Sequence, residues 1–578
     1  MRYSQAITTS GDAIELDGLT VLVGPNNCGK STTLRDIRHI ITGKLENIFH
    51  AVQELSTEFS PGSSLYDSIQ NDKARFSGNG LNYVGLGVDL NSRAEFTVDD
   101  GSAHIWAANS ILGKSSASRE QTTYSQNFGQ LHVAHLTAGS RLDLANSCPS
   151  VDIQDDAASP AKLLQWLLPR REVRAELAAA FKETFGLDLE FDPYGLAKVR
   201  LRVSESFHAA PIQVDEAAQY YRMFPELEEQ GDGMRSFVGI VLGLLLAGDR
   251  LILIDEPEAF LHPEQARRLG LWIARNSGKR PGQQIMLATH NAHFLQGLIS
   301  ENAAVKIIRL RRDGVGPIRF SPISGKTVSQ LARDPLLSSQ RVIEAIFHNH
   351  TVICEADSDR IIYQAVAAKI FNVTDTLFVN AQNKQTCGRI ASVLIEAGVV
   401  PRTVVDIDIL RDAVDLKKLM EAYGVDDPAQ AEILELRSRI AAEIEDSISE
   451  GEIFQSRTEA FRKLAEESAT LSKGQLRSKV DEILGLSKWS ALKKCGIATL
   501  SGPAKEEFQE LLNKLTKRGI DIVPVGELES WIELGRSKGR WVEPALEIIY
   551  AKQAGKPLED FVERILQPVT ADPGAATI

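Results

Sequence analysis

The chain has 578 residues, 43% of them hydrophobic and 24% charged, enough to bury sizeable cores; at about 150 residues per domain the length fits four units, or two larger ones with insertions. Its 64 basic and 77 acidic residues give a net charge of −13, which excludes a surface that coats nucleic acid throughout and would leave DNA to local basic patches or bridging metal ions. No run approaches the ~18 apolar residues of a membrane span, the start shows no secretory pattern, and the scattered Cys28, Cys148, Cys354, Cys387 and Cys495 form no CxxC, so a cytoplasmic protein without membrane contact, disulfide framework or structural zinc is expected.

The opening is strand-like. LTVLVGP (19–25) then runs into a turn and a helix predicted to begin near Ser31. Gly24-Pro25-Asn26-Asn27-Cys28-Gly29-Lys30-Ser31, followed by Thr32, satisfies GxxxxGK[ST] between that strand and that helix. In such a loop the glycines let backbone N–H groups approach phosphate oxygens, with help from the positive helix end. Lys30 is expected to neutralise the β/γ-phosphates of ATP, and the Ser31 hydroxyl to ligate Mg²⁺. Residues 43–130 read as an inserted lobe of strands and loops. LHVAHLT (131–137) reads as a strand and is followed by a linker expected to be mobile at its middle. Residues 161–185 read as a helix with Leu163, Leu164, Trp166, Leu167 and Leu168 on its apolar face. SFVGIVLGLLLA (236–247) is apolar on nearly every side yet too short to span a bilayer, so it should be a buried core helix.

LILIDEPEAFLHP (251–263) ends an apolar strand in adjacent acids, Asp255 and Glu256. Two carboxylates at a buried strand tip are costly unless they serve a cation or a proton transfer. Asp255 is expected to hold Mg²⁺ through water and Glu256 to polarise the attacking water. QQIMLATHNAHF (283–294) is a further apolar strand ending at His290, where a γ-phosphate sensor would stand.

These residues resemble the ABC-type ATPase heads of the SMC and RecF proteins and of the overcoming-lysogenisation-defect (OLD) family, which share DEPExxLHP. The resemblance implies ATP sandwiched between two subunits, with a Gly-rich segment of each reaching the partner's nucleotide. Here that segment is 230–236, with Gly231 and Gly233; it lacks the serine usual at its second position. The resemblance also puts an arginine where Arg141 stands, and makes 145–210 a candidate dimerisation insertion.

A second α/β pattern begins with TVICE (351–355) and continues through LFVN (377–380), TVVDID (403–408) and IDIVPV (520–525). Between 411 and 518 the chain turns charged and helical, as a solvated hairpin or else a partner-binding coiled coil. Acids gather at three strand ends: Glu355 with Asp359 a turn later, Asp406 and Asp408, and Glu527 with Glu529. If 406 and 408 continue a strand, they share a face about 6.6 Å apart. Two carboxylates about 4 Å apart repel by roughly 4 kcal/mol at an effective dielectric of ~20, so their gathering makes sense around divalent cations that act on a phosphodiester.

This pattern resembles a TOPRIM domain, with Glu355 as its glutamate and Asp406 and Asp408 as its DxD; Ala356 stands where a glycine is common. For OLD nucleases the resemblance implies further acids (Asp359, Glu527, Glu529) and a lysine, for which Lys538 and Lys384 are the candidates. The expected fold is α/β: an ABC-type P-loop head with inserted lobes over 1–345, then a Rossmann-like TOPRIM domain over 346–570 with a helical insertion, and a disordered tail over 571–578. The implied function is an ATP-regulated DNA endonuclease using Mg²⁺ or Mn²⁺ on double-stranded DNA. It would be a homodimer or higher oligomer through its ATPase half, in anti-phage defence, in some relatives beside a second protein. The competing reading is a nucleotide-switched sensor or scaffold whose second half binds a partner and does not cut.

Overall fold

The computed structural model describes residues 2–569 apart from 45–47, 59–73, 78–81, 98–128, 153–161, 196, 209–210, 248–249, 281, 302–304, 313, 315, 448–449, 468–470, 472–475, 478, 481–482, 484–488, 490–491, 494–495, 501, 533 and 535–537. The tail over 571–578, the middle of the linker after 144 and most of the lobe expected over 43–130 lie outside the described residues. The chain divides into two compact units, Met1–Phe347 and His348–Ile578.

The first unit is built on a six-stranded sheet in the order Ile318–Ile323, Lys306–Arg312, Leu19–Val23, Gln284–Ala288, Leu251–Asp255, Val133–Leu136. Only the first pair is antiparallel. The strands Leu19–Val23 and Gln284–Ala288 are buried at every position, which is why they read as unbroken apolar runs: helices cover both faces of a parallel sheet. Because the four strands at 19, 133, 251 and 284 run the same way, their carboxyl ends lie on one edge, where ligands of open α/β sheets bind. The helix Asp232–Leu246 buries every residue from Ser236 to Leu245, as its all-round apolar character requires.

The segment 161–185 is not one helix. Leu163–Leu167 forms a 3₁₀ turn and the α-helix spans Arg171–Phe185, because Pro169 has no N–H to donate to a continuing ladder. The described part of the early lobe includes the strand Val52–Glu58, which pairs antiparallel with Arg2–Thr8, and a three-stranded antiparallel sheet, Ala74–Ser77, Asn82–Leu86 and Arg93–Thr97.

The second unit carries a four-stranded, wholly parallel sheet in the order Thr376–Asn380, His350–Cys354, Arg402–Val405, Ile520–Ile522. Helices Asp357–Lys369 and Lys384–Glu396 make two of the crossovers. Between the last two strands lie the helices Ala413–Ala422, Asp427–Ser447, Glu450–Glu467 and Pro503–Thr516. Contrary to the expectation from the sequence, Asp406 and Asp408 are not strand residues i and i+2. The strand ends at Val405, and Asp406 caps a 3₁₀ turn over Ile407–Arg411. The neighbouring strand gives out at the same level, where Val523 still donates to the Val405 carbonyl but Pro524 has no N–H to offer. Among the described residues no helix is long and apolar enough to cross a membrane.

Candidate functional sites on two sheet edges

On the first edge the loop 24–29 joins the buried strand Leu19–Val23 to the helix Lys30–Ile41. Gly29 caps that helix with φ +105°, and a Cβ there would overlap the Ile318 side chain, so only glycine lets the loop turn this tightly. Asn26 and Asn27 face solvent, with Asn27 left-handed at φ 61°, while the Cys28 thiol is buried and pushed up by burial. The Lys30 ammonium donates to the carbonyls of Gly24 and Pro25, both at 2.8 Å. It thus folds back over the loop that phosphates would fill. Ser31 Oγ donates to Asp255 Oδ1 at 3.0 Å, bringing the two expected Mg²⁺ ligands together across 224 residues of sequence. Thr32, half-buried behind them, accepts from Arg35.

Burial, then the neighbouring Glu256, raises the Asp255 carboxyl, against the pull of Ser31, Arg141 and Lys30. Glu256 has left the strand for a left-handed turn at φ 48°, which aims its carboxylate at the next strand end: His290 Nδ1 stands 3.2 Å from Glu256 Oε1. The same ring nitrogen is 3.5 Å from Glu258 Oε1. Glu258 is buried and accepts from Thr289 Oγ1 at 2.8 Å and from the His290 N–H at 3.1 Å. Sequence reasoning stopped at the first two acids of DEPE; the third holds the turn that carries His290.

Arg141, the arginine that the resemblance picked out after a strand, lies inside the unit. Its guanidinium is wholly buried and donates to Ser236 Oγ (2.7 Å) and the carbonyls of Asp255 (2.8 Å) and Glu256 (2.7 Å). Burial lowers it to about 10. It ties the acid turn to the buried helix. Gly231 caps that helix beside open space, and Gly233 lies so near the Phe260 carbonyl that a Cβ would crowd it.

On the second edge, parallel strands deliver Glu355, Asp406 and Asp408 to one place. The Asp406 N–H points to Glu355 Oε2 at 3.4 Å. Lys493 Nζ is 2.8 Å from Asp408 Oδ2 and 3.7 Å from Asp406 Oδ2. Lys384 Nζ reaches the Asp408 carbonyl at 3.3 Å and its Oδ1 at 3.5 Å. Burial first, then Asp408, raises the Glu355 carboxyl. Burial also pushes Asp408 upward, but Lys493 and Lys384 outweigh it and hold the group low. The thiol of Cys387 is raised by burial and then by Glu355, Asp359 and Asp406, which places Asp359 in the same neighbourhood. Asp359 has a second duty, since its Oδ2 accepts from the Ala356 N–H at 2.9 Å and caps its own helix.

Glu527 and Glu529 are half-buried in the turn after the fourth strand. The backbone ties this turn to the cluster: the Ile407 N–H donates to the Gly526 carbonyl at 3.1 Å. Of the two lysines expected, Lys384 is at the cluster, while the side chain of Lys538, which opens the helix Lys538–Tyr550, lies outside the described residues. Lys493 was missed because nothing in its local sequence marks it; it sits in the charged helical insertion. Among the described residues no three His, Cys, Asp or Glu side chains converge tightly enough to hold an ion as they stand.

Residues 19–296 match the family model described as "AAA domain, putative AbiEii toxin, Type IV TA system". No curated protein matches the chain. Among solved structures, the SMC head domain from Thermotoga maritima is 13% identical, covering 56% of this chain and 100% of that one with a TM-score of 0.30. The Smc head domain from Pyrococcus furiosus, bound to the C-terminal domain of ScpA, is 9% identical, covering 57% and 98% with a TM-score of 0.34. With its loop, acid turn and sheet order, the segment 19–296 is a P-loop ATPase domain of the AAA type.

Proposed function

We propose that this protein is an ATP-regulated, divalent-metal-dependent DNA endonuclease of the OLD kind, acting in defence against phage. In the first unit, the N–H groups of the loop 24–29 and the released Lys30 would hold the triphosphate. Ser31 and Asp255 would hold its Mg²⁺, and Glu256 would accept a proton from the attacking water while Glu258 orients His290 beside it. ATP binding must first draw Lys30 off the Gly24 and Pro25 carbonyls, so the loop changes its hydrogen bonding whenever nucleotide enters.

The single observation that carries the nuclease reading is the meeting of Glu355, Asp406 and Asp408, two of them half a hundred residues from the first, at the ends of adjacent parallel strands. Their hard oxygens suit Mg²⁺ or Mn²⁺, and Asp359, Glu527 and Glu529 lie on the same edge. A cation bound there would supply Lewis-acid activation of water and neutralise charge on the phosphodiester. The chain's own part is to hold Asp406 buried and Glu355 and Asp408 half-buried beside Lys384 and Lys493, and to bring negative DNA to a protein of net charge −13 only where positive charge is concentrated. Two such heads are expected to associate through the ATPase half, with Gly231 and Gly233 facing the partner's nucleotide.

Incubation of supercoiled plasmid with Mg²⁺ or Mn²⁺, with and without ATP, tests the reading. The wild type should nick or linearise it, and Glu355→Ala should lose that activity while retaining ATP turnover. Absence of cutting under every condition would favour the scaffold reading, in which the acid cluster binds a partner.

A further inference from the structure

The second unit holds a cation already. The Lys493 ammonium stands between the Asp406 and Asp408 carboxylates, at 3.7 and 2.8 Å, two of the three acids that meet at the strand ends. Lys384, by contrast, reaches Asp408 among the described acids, half through its main-chain carbonyl. The two lysines also differ in origin. Lys384 opens a core crossover helix, whereas Lys493 comes from the insertion between the third and fourth strands.

The Lys493 backbone is pinned. Leu492 beside it is buried, the Ile497 N–H donates to the Pro524 carbonyl at 2.9 Å, and Gly526 lies so close that a Cβ there would overlap the Lys493 carbonyl oxygen. Gly526 has φ +105°, a second reason for glycine. The chain therefore delivers the root of Lys493 to a set place beside the turn leading to Glu527. Only its four-carbon side chain is free to move, and that side chain is one-third exposed, 33% by area, with water on one side to receive the ammonium.

We propose that Lys493 is a displaceable resident cation of the acid cluster: its ammonium takes the place of a divalent ion in the unloaded protein, and loading requires it to swing out. This rests on the metal reading above. It explains why the acids, although adjacent, do not converge as an ion would require; they are spaced around an ammonium. An ammonium and a dication cannot share the space between two carboxylates without strong mutual repulsion, so the insertion, through this one side chain, sets the affinity of the site.

The test is Mn²⁺ binding to the full chain by calorimetry, taking the component abolished by Asp408→Asn as this site. Lys493→Met should tighten that component by about tenfold or more, because the competitor is gone, and Lys384→Met should change it less. Equal or weaker binding by Lys493→Met overturns the proposal and leaves the metal reading standing. Absence of any such component in both wild type and Lys493→Met overturns both. A second measurement needs no variant to fold: amine-reactive labelling of Lys493 in the wild type, read by peptide mass spectrometry, should rise on adding Mn²⁺. Unchanged labelling at saturating Mn²⁺ overturns the proposal.

Discussion

At the scale of single residues, two buried basic side chains of the first unit do different work. Arg141 spends its three donor groups on Ser236 and on the carbonyls of Asp255 and Glu256, so it positions the acid turn without touching nucleotide. Replacing it by Met strands those acceptors away from water. Arg141→Met should destabilise the first unit by about 2–4 kcal/mol in thermal melts and lower ATP turnover with it. His135, on the edge strand Val133–Leu136, is buried with Arg38 donating toward its Nδ1 at 3.4 Å. Burial, then Arg38, lowers it from 6.5 to about 4. The unfolded chain takes up that proton near pH 6.5 while the folded one waits until about 4, so stability falls as pH drops through this window, by roughly 3 kcal/mol in all. His135→Gln should flatten that part of the acid limb in pH-dependent melts; an unchanged slope would show that His135 is already protonated when folded.

At the scale of elements, the decisive features are places where strands stop. The sheet of the second unit loses its ladder at Pro524, the chain at Val405 turns into a 3₁₀ segment, and the acids of 406 and 408 point inward from a turn. Glu256 likewise leaves its strand in a left-handed conformation, toward His290. Apolar runs announce strands well, but periodicity says little about the one or two residues after a strand, whose direction depends on what the neighbouring strand offers. Gly526 illustrates the cost of a change at such a place. Gly526→Ala combines an unfavourable φ with overlap on the Lys493 carbonyl and should lower the stability of the second unit by more than about 1 kcal/mol, measured by calorimetric unfolding.

At the scale of the whole molecule, a mostly parallel and a wholly parallel sheet each present their chemistry at the carboxyl edge, one for nucleotide and one for acids, in separate compact units. Their chemistry should therefore separate by mutation. Lys30→Ala removes the cation that meets the triphosphate and should abolish ATP turnover, while Mn²⁺ binding by the second unit persists. Unchanged turnover in Lys30→Ala would sink the assignment of the loop. The acidic balance of the chain adds that any DNA binding should weaken only shallowly with salt, since few positive groups meet phosphates and the salt slope grows with the number of phosphates neutralised.

The nucleotide loop and the acid strand were legible in the amino-acid order because their chemistry is local: the glycines, Lys30 and Ser31 are consecutive, and Asp255 follows four apolar residues. The same held for the buried helix Asp232–Leu246, whose burial is written in its composition. Glu258 and Lys493 were not legible, since the first is defined by what it accepts from Thr289 and His290, and the second by carboxylates 85 residues away. The role of Arg141 was likewise decided only by packing. Contacts between distant residues arise when strands of one sheet align, and that alignment is a property of the folded chain.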